Sequence, residues 1–471
     1  MPRIPVAIVG PSYTTRSRDV DAQRTVNLYP EIAESNAPKS VACLIGTPGL
    51  VSFAEVGSGP IRGFCLTASN RLFVVSCNEL YELLSDGSAT LRGGIGTTSG
   101  LVSMDENGNQ VAIADGGGFY IYDLAASTMT QVSGVIASSV GFLDGYFVLD
   151  EPETGRFRIS SLYDGDTIDG LDFATAEGAP DDVVTLAILN RQVILFGSNS
   201  TEFWVDSGDA DFPFDRLDGG FIQFGCIAPK SVKKVAGTLC WLGNNEEGPG
   251  QVYMLDGYQA RRVSTHAVET ALKGLDFANA YAWSYSDEGH HFYCLSVPNA
   301  ETTWVFDVTT GMWHEEGSWN EGYEPHRAAC HVYAFGKHLV GDRETGDIYE
   351  LSADAYSDNG APLRRARRTP HAHANLMKLF WHTLEIDFET GVGLNDGQGS
   401  DPKCLLRWSD DGGHAWSAWR ETSLGRIGDR KARAVFRRLG SSRDRVFEVV
   451  VSDPVKCVII DAKADVTEGA N

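Results

Sequence analysis

The chain has 471 residues, 51 of them glycine, and a formal net charge of −24 from 63 acidic and 39 basic side chains. Its 42% hydrophobic content excludes long disorder. The acidic balance excludes a protein that grips duplex DNA by its phosphates, a task that takes a basic surface, but not a wall past which DNA slides.

Residues 1–45 come first. They are polar, bounded by prolines and weakly periodic, and they contain SYTTRSRDVDAQRTVNLYPEIAES. This predicts an extended arm bound along a surface. Over residues 46–355 one unit recurs: an apolar strand, a Gly/Asp/Asn turn, then a second strand carrying Tyr or Trp before an acidic turn. RLFVVSCNELYELLSDG from Arg71, QVAIADGGGFYIYDL from Gln110 and QVILFGSNSTEFWVDSG from Gln192 are three of seven copies. With Leu72, Val111, Phe147, Val193, Cys240, Phe292 and Leu339 as markers, the copies stand 36 to 52 residues apart. Hairpins at a period of roughly 40–50 residues are a β-propeller signature, one four-stranded blade per repeat. A helical solenoid of similar period would not tolerate so much glycine. Six or seven blades are expected. Residues 356–374, with YSDNGAPLRRARRTPHAH, read as a linker. Residues 375–471 carry KLFWHTLEIDF, KCLLRWSDDGG and FEVVVSDPVKCVIIDA, the pattern of a small antiparallel, sandwich-like β domain with a frayed KADVTEGAN end. The predicted fold class is all-β.

Nine cysteines without a CxxC pair read as free, buried thiols of a protein made in a reducing cytosol. The start MPRIPVAIVG lacks a signal-peptide core, and no run of about 18 apolar residues occurs, so no stable membrane insertion is expected. Ser409, Asp411, Gly413 and Trp416 fit the Asp-box pattern Ser-x-Asp-x-Gly-x-x-Trp. In it a hydroxyl and a carboxylate tie down a tight turn through backbone N–H groups and Trp packs beneath, so a structural role is expected. Asp287-Glu288-Gly289-His290 is a degenerate relative. Asp164, Asp166 and Asp169, and Asp209, Asp211, Asp215 and Asp218, form acidic loops with the wrong spacing for an EF-hand. His290, His291, His326, His331, His371 and His373 show no metal-ligand spacing. No nucleophile elbow or phosphate loop occurs, and no catalytic, cofactor or metal residues are assigned. Arg364, Arg365, Arg367 and Arg368, with Lys378 nearby, form the one dense basic cluster. It reads either as a solvated linker or as an electrostatic dock for an acidic partner surface or a phosphate contact.

Three segments carry a family resemblance: Val26-Asn27-Leu28-Tyr29-Pro30-Glu31, then Gly46-Thr47-Pro48-Gly49-Leu50, then the run Val193 to Trp204 with its Phe-Gly-Ser…Thr-Glu-Phe. Together they resemble the packaged-DNA stabilisation proteins, or tail accessory factors, of short-tailed (podovirus) phages, and the likeness spans the whole chain. It implies a non-enzymatic virion tail protein, assembled in the host cytoplasm. Such a protein forms a homo-hexameric ring below the portal and adaptor, closes or extends the DNA channel, and seats a tail needle and tailspikes or fibres. DNA would pass through the lumen without sequence-specific binding. On this reading the arm, with Asn27, Leu28, Tyr29 and Pro30, straps a neighbouring subunit or the adaptor. Two rivals remain: a sialidase-like glycan hydrolase on a propeller, and a receptor- or glycan-binding tail fibre.

Overall fold

The repeat unit folds as an antiparallel four-stranded sheet. In each, the period-2 alternation of the sequence puts one row of side chains against each neighbouring sheet. The structure, a computed structural model, describes residues 3–209, 212–245, 248–375 and 377–469. Asp211 of the second acidic loop and the 470–471 end lie outside the described residues. The first sheet takes strands Ile61–Leu66, Leu72–Ser76, Glu79–Leu83 and Ala89–Gly94. Five more follow in chain order over 103–131, 140–175, 183–222, 233–262 and 281–320. The seventh combines Ala328–Ala334, Lys337–Asp342 and Asp347–Ser352 with Gly49–Glu55, drawn from ahead of the first sheet. Innermost strands lie side by side around a ring, and the seventh sheet packs on the first. Among the described residues the propeller therefore has seven blades, closed by pairing its N-terminal strand with its C-terminal one.

All seven marker residues fall on the second strand of their blades, and all are buried. Each seam between adjacent blades has its own apolar cluster. Phe73, Val75, Val111 and Tyr122 fill the first seam, and Val74, Leu339 and Ile348 fill the closing one. Each fully buried Val, Leu, Ile or Phe contributes about 1.5–3 kcal/mol, so the disc is held by seven similar cores. One α-helix occurs among the described residues, His266–Leu272, capped by Thr265, whose side chain accepts the Val268 N–H. All nine cysteines are free.

The C-terminal region is a sandwich of two sheets around Trp381, Leu384, Ile386, Phe436, Phe447 and Val449. Its composition corrects the expectation of a separate arm. One sheet is ordered Leu28–Ile32, Ala42–Gly46, Val458–Glu468, Leu379–Phe388 and Ala434–Arg437, with Arg3–Pro5 also on Val458–Glu468. Three of its strands thus come from residues 1–46. Val6, Ile8, Leu28 and Leu44 enter the sandwich core. The weak periodicity of the arm arises because its strands are short and are divided between two sheets. The end is not frayed as far as Glu468, since Lys463 to Glu468 pair with Leu379 to Glu385.

The predicted linker is also structured. Arg365–Arg368 pairs antiparallel with Ala22–Val26 on one side and with Asp444–Val451 on the other. Ala22–Val26 in turn meets Met312–Asn320, the last strand of the sixth blade. A single twelve-stranded sheet therefore runs from the propeller, through an arm strand and the arginine strand, into the sandwich.

Candidate functional site at the propeller–sandwich junction

The eight residues expected to make assembly contacts converge on this junction, but most face inward. Asn27 is buried, with φ of 53°, a conformation Asn tolerates better than most residues. Its amide mimics a peptide group: Nδ2 donates to Gly317 O and to Arg364 O, and Oδ1 accepts the Gly317 N–H, all at 2.9 Å. That places it between blade six and the arginine segment. Leu28 lies in the sandwich core. Tyr29 lies in the core between blades six and seven, and Pro30 is buried. None of the four is free to strap a neighbour, because each is spent inside its own chain. Their signal, a polar arm with a few large residues, does not distinguish an intramolecular clasp from an intermolecular one.

The arginine cluster divides by the same period of two. Arg365 and Arg367 face the sandwich interior, at 1% and 0% exposure. Arg367 donates from Nε to Ile8 O at 2.7 Å, from Nη1 to Pro11 O at 2.9 Å and Thr25 Oγ1 at 2.8 Å, and from Nη2 to Gln23 Oε1 at 2.7 Å. Every acceptor belongs to the arm and none is charged. Burial pulls its pKa down to about 9, so the guanidinium stays charged at neutral pH. Gly10 is required here, since a Cβ would stand 2.8 Å from Arg367 Nη2. Arg365, beneath Gly46 and near the Tyr356 ring, is lowered by burial. Neither can dock an acidic partner.

On the opposite face Arg368 sits across from Glu448 and Arg407 in adjoining strands. Arg407 Nη2 donates to Glu448 Oε2 at 2.7 Å, and Arg368 Nη2 stands 3.5 Å from the same oxygen. Trp416 of the Asp box covers both guanidinium groups, at 4.6 Å and 4.9 Å. Trp419 carries Arg407 at 4.5 Å and Arg364 at 5.5 Å, and Arg364 also lies 4.3 Å from Trp319 of blade six. The result is a ladder of alternating Arg and Trp along the outside of the joint, where stacking is worth about 0.5–2 kcal/mol per contact. Of the eight candidates, Arg364 and Arg368 stand on this outer side.

The Asp-box turn anchors the ladder. Ser409 Oγ accepts the Gly413 N–H at 2.8 Å and donates to Asp411 Oδ1 at 2.6 Å. That carboxylate oxygen accepts from the N–H groups of Ala415 at 2.8 Å and His414 at 3.1 Å, while Trp416 Nε1 donates to Gly413 O at 3.1 Å. The Ala415 N–H, then the Ser409 hydroxyl, hold the Asp411 carboxyl below its usual range. The Ser409 hydroxyl, Asp411 Oδ1 and the Trp416 indole are thus all engaged in shaping the turn.

Two ion clusters that the sequence did not reveal complete the joint. Arg24 of the arm is paired with Glu315 of blade six at 2.7 Å, and Glu315 also accepts from Ser12 and Thr302. His290, in the degenerate Asp-box hairpin, lies between Asp307 Oδ2 at 2.8 Å and Glu31 Oε2 at 2.6 Å. The hydrogen bond to Asp307, then that to Glu31, raise its pKa to about 9. Partners hundreds of residues away carry no local sequence signal. Among the described residues no three His, Cys, Asp or Glu side chains group as metal ligands.

Fold and junction together define an all-β protein in which a seven-bladed propeller is locked to a β-sandwich by strands of its own N-terminal segment. The chain belongs to the bacteriophage P22 Gp10 family of phage stabilisation proteins. The family's β-propeller model matches residues 2–356 and its β-sandwich model residues 364–467. It is thus a phage structural protein. No curated protein matches the chain. Among solved structures it is similar to the extracellular domain of BT4673 from B. thetaiotaomicron, with 10% identity, a TM-score of 0.42, and coverage of 65% of this chain and 40% of that one. It is also similar to the N-terminal domain of Nup159, with 11% identity, a TM-score of 0.41 and coverage of 69% and 98%. A third is the WD40 β-propeller domain of Doa1, with 13% identity, a TM-score of 0.40 and coverage of 64% and 96%.

Proposed function

We propose that this protein is a tail subunit that adds below the portal and adaptor as a closed ring of six copies. There it extends or closes the DNA channel, retains the packaged genome, and seats a needle and tailspike or fibre proteins. The observation that carries this reading is the twelve-stranded sheet shared by propeller and sandwich. A ring subunit that resists the outward push of packaged DNA cannot let its two domains swing, and interdomain motion is the default unless the interface is extensive. Backbone pairing through the joint removes that freedom. Membership of the phage stabilisation family and the charge of −24 support a lumen that repels DNA without gripping it. Ring closure requires a heterologous contact between copies, and the outer Arg–Trp ladder, not the buried arm, is the face of the joint available for one. The test is to purify virions lacking this chain and add it back. Loss of packaged DNA without it, and six copies at the tail by cryo-electron microscopy on add-back, are expected. Virions that retain DNA and infect without it refute the proposal.

A further inference from the structure

The axis of the propeller is chemically unlike the rest of the molecule. The seven innermost strands, among them Ile61–Leu66, Lys233–Val235 and Tyr281–Asp287, surround a polar cavity of about 220 Å³. Arg62, Lys230 and Lys233 line it, and no carboxylate does, in a chain with 63 acidic residues. A neighbouring cavity, lined by Arg62, Lys230 and Arg343, is likewise free of carboxylates. The nearest acids are already committed. Asp150 accepts the N–H groups of Ser138 and Ser139 at 2.8 and 2.7 Å, and Asp115 those of Thr97, Gly117 and Gly118.

The donors facing this space are unevenly used. All the Arg62 nitrogens are satisfied by Gly100 O, Cys77 O, Thr97 O, Thr97 Oγ1 and Ser99 O, so it supplies charge but no free donor. Lys230 Nζ donates once, to Ser138 O at 2.7 Å, which leaves two protons. Lys233 makes no hydrogen bond or ion pair among the described residues. The Trp283 ring lines the same cavity, but its indole nitrogen is itself buried away from that space, so the lysines are the donors it offers. Burial, then repulsion from Lys233, draws the Lys230 pKa down to about 8. Like charges with spare donors gathered in a partly buried space are costly unless something negative joins them.

We propose that the propeller axis binds a small tetrahedral oxyanion of the phosphate class, held by the ammonium groups of Lys230 and Lys233, with Arg62 as a fixed charge behind. The space suits one such ion with a few waters, and charge-assisted donors are the strong ones for it. Seven blades contribute to the wall, so the ion acts as a pin at the centre of the disc. This inference does not depend on the assembly reading.

The test uses the full chain, freed of phosphate and sulfate in a chloride buffer of fixed ionic strength at pH 7. Inorganic phosphate is titrated by calorimetry and by thermal unfolding, with a nucleoside monophosphate as a second arm. Saturable binding of one ion per chain with a rise in Tm is expected, since a ligand bound only by the native state stabilises it by mass action. Phosphate bound and nucleotide excluded marks the free ion as the occupant, whereas nucleotide bound at least as tightly marks a phosphate ester. Lys233→Met should weaken phosphate affinity by ~10-fold or more and raise the Tm in chloride, the reverse of an ordinary core lesion. Lys230→Gln, which keeps a donor for Ser138 O but no charge, should weaken phosphate by ~5-fold and serves if the Lys233 variant does not fold. A wild-type protein indifferent to phosphate, or a Lys233→Met or Lys230→Gln protein that responds as fully as wild type, overturns the proposal.

Discussion

Replacing Arg367 by Met tests the intramolecular clasp directly. The side chain is fully buried and gives four hydrogen bonds of 2.7 to 2.9 Å to Ile8 O, Pro11 O, Thr25 Oγ1 and Gln23 Oε1. Bonds from a charged donor contribute about 1.5–3 kcal/mol each, a gross sum that the desolvation of a buried cation offsets by several kcal/mol. Methionine restores much of the volume but leaves the Ile8 and Pro11 carbonyls, which Arg367 satisfied, without donors in the interior. A net loss of about 3–5 kcal/mol follows. The lesion should be local as well as global. In urea the midpoint should fall, and amide exchange in the native state should accelerate first in Ala22–Val26 and Arg365–Arg368, with the blade-two strands Gln110–Ala114 unaffected. Arg367→Lys should recover little, because one ammonium cannot span four acceptors in the plane of a guanidinium. A Met variant with an unchanged midpoint and an unchanged exchange pattern would refute the idea that the arm is held by this residue.

The His290 clamp gives a pH dependence with a defined sign. Its pKa rises from 6.5 to about 9 in the folded protein, so its contribution to stability is complete below 6.5 and is lost as pH climbs through 9. Thermal unfolding should show wild type losing stability across that window and His290→Gln losing less. Ser409→Ala deletes the buried hydroxyl that ties the Asp-box turn. It should cost ~1–2 kcal/mol and loosen Trp416, seen as a change in tryptophan fluorescence, without affecting the propeller. Gly341→Ala places a methyl 2.3 Å from Ile61 Cγ2 at the closing seam. It should destabilise by about 1–3 kcal/mol, measured by urea unfolding.

The propeller was legible because its information is local and repeated. A buried marker such as Phe147 or Val193 sits on a strand whose partners lie within the same 50-residue unit, so period and alternation both survive in the sequence. The seven markers fall one to each sheet, at the upper of the two blade counts expected. The junction was not legible for the opposite reason. Arg24 finds its partner at Glu315 and Arg367 at Ile8, and neither short segment shows a period of its own. Charge misled as well. Four arginines in five residues suggest a solvated or docking patch, yet two of them point into the sandwich because a strand sends alternate side chains to opposite faces. The Asp box was legible as a turn. Its second role, roofing Arg368 as well as the nearby Arg407 with Trp416, depends on a strand more than forty residues away.

The pairing of the first strand with the last also sets a schedule for biosynthesis. Arg3 meets Asp465, 462 residues downstream, so the N-terminal strand has no berth until residue 465 has left the ribosome. At roughly 5–20 residues per second the blades have on the order of half a minute to form and stack before that berth exists. The sandwich is then completed in one late step that draws in strands from far apart in the chain. A product that stops before Asp444 therefore carries finished blades, but its arginine strand lacks the sandwich partner Asp444–Val451.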